Sequence, residues 1–399
     1  MSETQLRAPS FPAPRAHPFD PPRLVSELRE SACPVGRVSL YDGTPAWLVT
    51  RHEDVRRVLS DSQFSAEGGW RFQSSASRVA AERAETSFTV MDPPQHSYYR
   101  RLLIRHFTVK RVERLRPAIQ AIVNSAIDEM IAGSRPADLV SQLALPIASR
   151  TMCHVLGVPY EDHQWYEERS EVRSLLDADP AEAQRATQDL LDYVDRLIDR
   201  KQRSPGEDLT SYLAAELLEP GLVTRAELIA ILRLLLTAGH ETTGTMIGTG
   251  TLVLLLHPEQ LAALRRDQAL MGPAIEELLR YLSILHSSIV RVAKVDVELG
   301  GQRIRAGDGL IAAPAQANKD HRKFPEPDRF DIERDASGHI AFGFGVHQCL
   351  GQAIARLEMK VAFEQLLVRL PGLRLACDPA DLAYESSNLI SVRTLPVTW

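Results

Sequence analysis

Phe342-Gly343-Phe344-Gly345-Val346-His347-Gln348-Cys349-Leu350-Gly351 gathers three glycines around one cysteine, just ahead of a segment with helical spacing. Glycine allows tight backbone turns and lets a flat ligand come close. A cysteine at a helix N-terminus faces the positive end of the helix dipole and unsatisfied N–H groups. Both favour a thiolate and bond its sulfur. No second Cys or His stands at ligand spacing, so the segment offers a single sulfur donor, which suits one axial bond to a haem iron. A cysteine beside one glycine turn would read as a buried structural residue; the ten-residue pattern does not.

The chain around this segment has two rhythms. From about 50 to 285, apolar residues recur at helical spacing. Examples are Glu53–Leu59, His96–Phe107, Val112–Ile131, Leu143–Leu156, Ala181–Lys201, Thr224–Leu256, Pro258–Arg265 and Pro273–Leu282. Thr224 stands three residues before Glu227, the spacing of a capping box. A last long helix is expected from about Leu350 to Leu370. Val38–Leu40 and Ala46–Val49 flank Asp42-Gly43, which predicts a β-hairpin. Ile289–Val297, Glu298–Ile304, Leu310–Ala313 and Val392–Pro396 read as short strands. Residues 65–90 are Ser-rich and aperiodic, a loop expected to move, and 318–345 are irregular. The expectation is one domain over 1–399, mainly α with a small β region (α+β), with 1–20 as an irregular N-terminal arm.

Among 399 residues, 46 Lys and Arg face 52 Asp and Glu, for a net charge of −6. Nucleic-acid binding draws on excess cations, so no nucleic acid is expected. Cys33, Cys153, Cys349 and Cys377 are scattered without a CxxC pair, which argues against a disulfide scaffold or a structural zinc site. A reducing cytoplasm is the expected location. Met1–Asp20 lacks the apolar stretch of a signal peptide. The longest uncharged run, Thr242–Pro258, is shorter than the roughly 20 apolar residues that span a bilayer, so no membrane anchor is expected.

Phe342, Gly345, Cys349 and Gly351 stand in the register Phe-x-x-Gly-x-x-x-Cys-x-Gly. The segment resembles the haem-binding loop of the cytochrome P450 superfamily. Three further motifs come in that family's order, so the resemblance spans roughly residues 40 to 397, and the chain looks most like soluble bacterial members. Glu277-Leu278-Leu279-Arg280 puts a carboxylate and a guanidinium on one helix face. By resemblance this pair is buried, is joined by Arg329 from Pro327-Asp328-Arg329-Phe330, and locks the cysteine loop in a structural role. Ala238-Gly239-His240-Glu241-Thr242-Thr243 interrupts an apolar helix with residues that weaken helices. A hydroxyl there can enter the backbone ladder and open a kink beside a ligand. The family carries this pattern over the distal haem face. The resemblance implies that Thr242 hydrogen-bonds the oxygen being activated, that Glu241 relays protons from solvent, and that Ala238 touches the haem. His240 is assigned no chemistry and is read as facing away, structural or exposed. His96-Ser97-Tyr98-Tyr99-Arg100 sets a His and an Arg one helical turn apart. By resemblance they contact the haem propionates, as do Arg291 and His347. Phe342, Gly343 and Gly351 complete the haem contacts, with Cys349 as the metal ligand.

The resemblance therefore implies a haem-thiolate monooxygenase of the cytochrome P450 fold, carrying haem b (iron protoporphyrin IX). It would use dioxygen to hydroxylate or epoxidise a mostly apolar small organic molecule, a secondary metabolite or xenobiotic. The expected pocket walls are Leu234, Thr237 and Ala238, residues Ser287–Val290 with Ile289 and Val290, Leu389-Ile390, and loop 65–90. The chain shows no reductase-like segment, so electrons are expected from a separate ferredoxin and ferredoxin reductase. Residues 100–116 hold seven cations against one acid, Glu113. A solvated helix face accounts for them, and so does steering of an acidic ferredoxin. Two rivals remain. A peroxygenase or nitric oxide reductase of the same fold ranks lower, because such members often lose the acid–alcohol pair that Glu241-Thr242 keeps. A non-catalytic haem-binding sensor or carrier-recruiting module would be expected to add a second domain or an output helix.

Overall fold

The uncharged run ahead of Pro258 lies within one helix, Arg225–Leu256, which we call the long helix. Thr224 and Glu227 close the expected capping box: Glu227 N–H donates to Thr224 Oγ1 at 3.3 Å, and Thr224 N–H to Glu227 Oε2 at 2.6 Å. Its apolar residues point nearly all round, as fits a helix through the middle of a core. Gly239 and Gly250 let neighbours come close. A Cβ at Gly239 would stand 2.4 Å from Met152 Sδ, and one at Gly250 2.9 Å from Phe363 Cζ. Met152 belongs to helix Leu145–Leu156 and Phe363 to helix Gln352–Arg369, so both pack directly on the long helix. The structure, a computed structural model, describes residues 8–13, 15, 19–40, 42–72, 87–174, 179–285, 289–384 and 389–399.

The other predicted helices form at His52–Ser60, Gln95–Ile104, Pro180–Arg203, Pro258–Arg266 and Met271–Leu282. The segment expected as Val112–Ile131 divides into Val109–Val112, a 3-10 turn at Glu113–Leu115, and Arg116–Ala132, which carries Pro117 in its first turn. Proline lacks the N–H of a helix interior and suits a first turn. Helices Arg23–Glu30, His163–Ser174 and Leu209–Leu213 were not anticipated.

The β part lies to one side. Its larger sheet has the order Val35–Ser39, Pro45–Val49, Gly309–Ala312, Ile289–Ala293, Phe64–Ser65. The predicted hairpin pairs Val35 with Val49 and Ser39 with Pro45, and Arg291 sits opposite Leu310. The run expected as one strand at Ile289–Val297 stops at Ala293, where Lys294 N–H turns to Gln63 O at 2.8 Å. Val297–Leu299 pairs instead with Gln302–Ile304. The strand expected at Val392–Pro396 lies at Pro396–Thr398, between Ala137–Asp138 and Arg374–Leu375. The described part of the N-terminal arm is irregular but pinned: Phe11 N–H bonds Ser39 O and Ser39 N–H bonds Pro9 O, both at 2.9 Å. Loop 65–90 contributes 3-10 turns at Gly69–Phe72 and Phe88–Val90, and its centre, 73–86, lies outside the described residues. Among the described residues no helix is long and apolar enough to cross a membrane.

Candidate active site

The cysteine segment folds as a closed loop ahead of helix Gln352–Arg369. Gly343 N–H bonds Ile340 O at 2.9 Å, Gln348 N–H bonds Gly345 O at 3.1 Å, and Cys349 N–H bonds Phe342 O at 2.9 Å. Gly345 has φ +73°, and a Cβ there would lie 2.5 Å from Leu59 O, so backbone conformation and space both require glycine. Gly351 caps the helix, and a Cβ on it would meet no protein atom within 4 Å. The Cys349 side chain is reached by solvent. Burial nevertheless pushes its thiol up, against the downward pull of the Gly351 and Gln352 N–H groups, Arg100 and Arg356. Both observations fit a sulfur at the floor of a deep recess, where few atoms touch it and many surround it. The helix start does supply N–H donors as expected, but the low-dielectric surroundings outweigh them and favour the neutral thiol.

Beside this loop sits a cluster of cationic and imidazole groups. His96 is 1% exposed, and neither ring nitrogen has a hydrogen-bond partner among the described residues. Its ring lies against that of His347, centroids 4.0 Å apart and planes tilted by 40°. Burial lowers the His347 pKa to about 3, with Arg291 and His96 adding to the effect. His96 is lowered by burial, then by Arg100 and Arg291. Arg291, itself buried, is lowered by burial to about 10 and donates to Val290 O at 2.8 Å. Asp92 is the nearby acid, and it is taken up by Ser65 Oγ at 2.6 Å and Ala66 N at 2.8 Å. Among the described residues these four basic side chains form no ion pair with a carboxylate. Ile289 joins strand to loop, its Cδ1 lying 3.5 Å from where a Gly343 Cβ would stand.

On the long helix, Ala238, Glu241 and Thr242 keep accessible surface, whereas Thr243 and His240 face inward. Thr242 Oγ1 donates to Ala238 O at 2.8 Å, so its hydroxyl does enter the ladder. The element runs on as unbroken α-helix, however, without the expected interruption. His240 is buried beside the Tyr166 ring, centroids 5.4 Å apart, and burial lowers its pKa to about 4. It is thus a core residue, not an exposed one. Of the expected pocket walls, Leu234, Ile289 and Val290 are half-buried. Thr237 is buried, its hydroxyl given to Arg233 O and Leu234 O at 3.1 and 3.3 Å. Leu389 and Ile390 are buried in the main core, with Ile390 N–H on Ile284 O at 2.8 Å. Residues 286–288, including Ser287, lie outside the described residues.

Glu277 and Arg280 are fully buried and paired twice, at 2.7 and 2.9 Å. Arg280 also donates to Asn318 O at 2.8 Å and Pro327 O at 2.9 Å. Asn318 Oδ1 accepts Ile340 N–H at 2.9 Å, which ties the network to the cysteine loop. The third member is Arg334, not Arg329. Arg334 Nε reaches Glu277 Oε1 at 3.2 Å, while the Arg329 side chain is 60% exposed between Glu326 and Asp331. Phe330 and Ile332 are buried, and a turn closed by Arg334 N–H on Asp331 O at 3.0 Å brings Arg334 back to Glu277, a placement that no simple residue spacing announces.

A family model described as Cytochrome P450 matches residues 158–371. The chain is 46% identical over 400 residues to a pentalenic acid synthase from Streptomyces avermitilis, covering 99% of each protein. It is 45% identical over 395 residues to a vitamin D3 dihydroxylase from Streptomyces griseolus, covering 98% of this chain and 97% of that one. The solved structure of a mycinamicin VIII C21 methyl hydroxylase from Micromonospora griseorubida, bound to mycinamicin VIII, is similar with a TM-score of 0.92 at 39% identity. That match covers 98% of this chain and 100% of the other.

Proposed function

We propose, since this chain belongs to the cytochrome P450 family, that Cys349 holds the iron of haem b (iron protoporphyrin IX) and that the substrate is a mostly apolar small organic molecule, a secondary metabolite or xenobiotic, oxidised in the cytoplasm. The enzyme is a cytochrome P450 monooxygenase. One observation carries the haem assignment: buried His96 and Arg291 and half-buried Arg100 and His347 form a basic cluster without a carboxylate partner among the described residues, next to a loop with one accessible sulfur. Such a cluster fits the two carboxylates of the porphyrin. Haem, when bound, supplies a redox-active iron at which dioxygen is cleaved, one atom entering a C–H or C=C bond and the other leaving as water.

The chain's own residues do the rest. Cys349 gives up its proton to bind metal, since a coordinated thiol is deprotonated outright. The Gly351 and Gln352 N–H groups then bond a sulfur that carries charge. An anion beside His96 accepts from a protonated ring nitrogen, favours the charged imidazole, and turns the repulsion among the cluster into charge-assisted hydrogen bonds. Gly351 and Ala238 leave flat surfaces on which a porphyrin can lie. Thr242 needs only a side-chain rotation to turn its hydroxyl from Ala238 O into the recess, and Glu241 can take protons from water and pass them on. Leu234, Ile289 and Val290 exclude water and set the apolar character of the pocket. Names such as pentalenic acid synthase and vitamin D3 dihydroxylase among the relatives support that substrate class.

Electrons come from a separate ferredoxin and ferredoxin reductase. The support is a surface where Arg101, Lys110 and Arg114 are exposed around Val109, itself 75% exposed. Arg105 and Arg116 of the same stretch are engaged by Glu216 and Glu113. Turnover with labelled dioxygen and this redox pair tests the reading. One labelled atom per product is expected, with Glu241→Gln lowering kcat by about 10²-fold or more. Product formed only from peroxide, without label from dioxygen, overturns it.

A further inference from the structure

A second charge cluster, separate from His96, Arg100, Arg291 and His347, grips the cysteine loop. Glu276 Oε1 accepts Arg356 Nε at 2.7 Å and Oε2 accepts Nη2 at 2.9 Å, a fork-on-fork pair. Ala341 N–H donates to His339 Nδ1 at 3.2 Å, which leaves the proton on Nε2, and Nε2 donates to Glu276 Oε2 at 2.9 Å. The Arg356 guanidinium lies 4.6 Å from the centre of the Phe342 ring, and Phe342 O accepts the Cys349 N–H. Three elements meet here: helix Met271–Leu282, the loop, and helix Gln352–Arg369. Burial alone would raise the Glu276 carboxyl, yet the His339 and Arg356 hydrogen bonds bring it to about 2, so it is ionised at neutral pH.

We propose that Glu276 and Arg356 are positioning residues that set how strongly the Cys349 sulfur donates electrons. Arg356 brings a positive charge to the loop beside Phe342, and Glu276 both fixes that charge in place and offsets most of it. This rests on the haem-thiolate reading of Cys349. Both side chains are about one-third exposed, so solvent screens the pair and the effect is a tuning one.

Redox titration of the holoenzyme separates tuning from mere support. Glu276→Gln leaves the Arg356 charge uncompensated, which favours the more negative ferrous state. The ferrous-to-ferric ratio at fixed potential should rise about tenfold, a shift of roughly 59 mV upward. Arg356→Gln should shift the potential downward, and the double variant should return close to the parent value. A clamp that only supports the loop would move both single variants in one direction. Shifts of the same sign, or none, overturn the proposal. If Glu276→Gln fails to hold haem, Arg356→Lys decides: it keeps the charge without the fork, so a potential near the parent supports tuning and a shift like that of Arg356→Gln refutes it. A parent enzyme without a strongly red-shifted ferrous–CO band would instead defeat the haem-thiolate reading itself.

Discussion

Arg280 and His96 are both almost completely enclosed, and they are finished in opposite ways. Each guanidinium nitrogen of Arg280 is bonded within the protein, to Glu277, Asn318 O or Pro327 O. Neither ring nitrogen of His96 is bonded among the described residues. Removing a polar group from water costs free energy in both places. Around Arg280 the compensation is internal, so the cluster acts on folding. Around His96 it is left open inside the protein, and on the proposed reading a bound anion supplies it, so the cluster acts on affinity. Both meet the cysteine loop, one through Asn318 and Ile340 and the other through His347. On the haem reading proposed above, the loop is held by one cluster and meets its cofactor through the other.

Substitutions can break that contrast. Glu277→Gln strands a buried guanidinium and should cost about 3–5 kcal/mol in denaturant unfolding. His96→Leu should leave the unfolding of the apoprotein nearly unchanged while weakening haem retention about 10- to 100-fold, the worth of a hydrogen bond to a charged group. A stability loss from His96→Leu equal to that of Glu277→Gln would erase the distinction. Arg334→Gln should cost about 1–3 kcal/mol by unsatisfying Glu277, whereas Arg329→Gln should stay within about 0.5 kcal/mol. Equal effects would return Arg329 to the network.

Glu358 sharpens the rule from a third position. It is buried on the cysteine helix, with neither carboxylate oxygen bonded among the described residues, and burial holds its pKa well above the ordinary value. The folded state therefore keeps a proton that the unfolded chain releases. Stability is intact below the ordinary carboxylate range and falls as pH rises above it, by up to about 1.4 kcal/mol per pH unit. Glu358→Gln should remove that slope: thermal unfolding would match the parent at acid pH and exceed it increasingly towards neutral pH. Parallel curves would contradict it.

Features written in local spacing could be read from the sequence. The cysteine loop depends on glycines a few residues apart, and Gly345 answers both a left-handed turn and the nearness of Leu59 O. The capping box at Thr224 and the Asp42-Gly43 hairpin are local in the same way. Features fixed by distant partners were harder. Arg334 owes its place to Glu277, and Glu276 to Arg356. Strand Pro396–Thr398 is set by pairing with Ala137–Asp138, far earlier in the chain. Leu389 and Ile390 are apolar whether they line a pocket or fill a core, so residue type does not separate the two. His240 gave no local sign of whether it faced solvent or Tyr166.

Reduction of the purified holoenzyme under carbon monoxide bears most directly on the sulfur at the centre of this account. A strongly red-shifted Soret band that disappears in Cys349→Ala is the predicted result. A band typical of a nitrogen-ligated haem, or a red-shifted band that survives in Cys349→Ala, would contradict it.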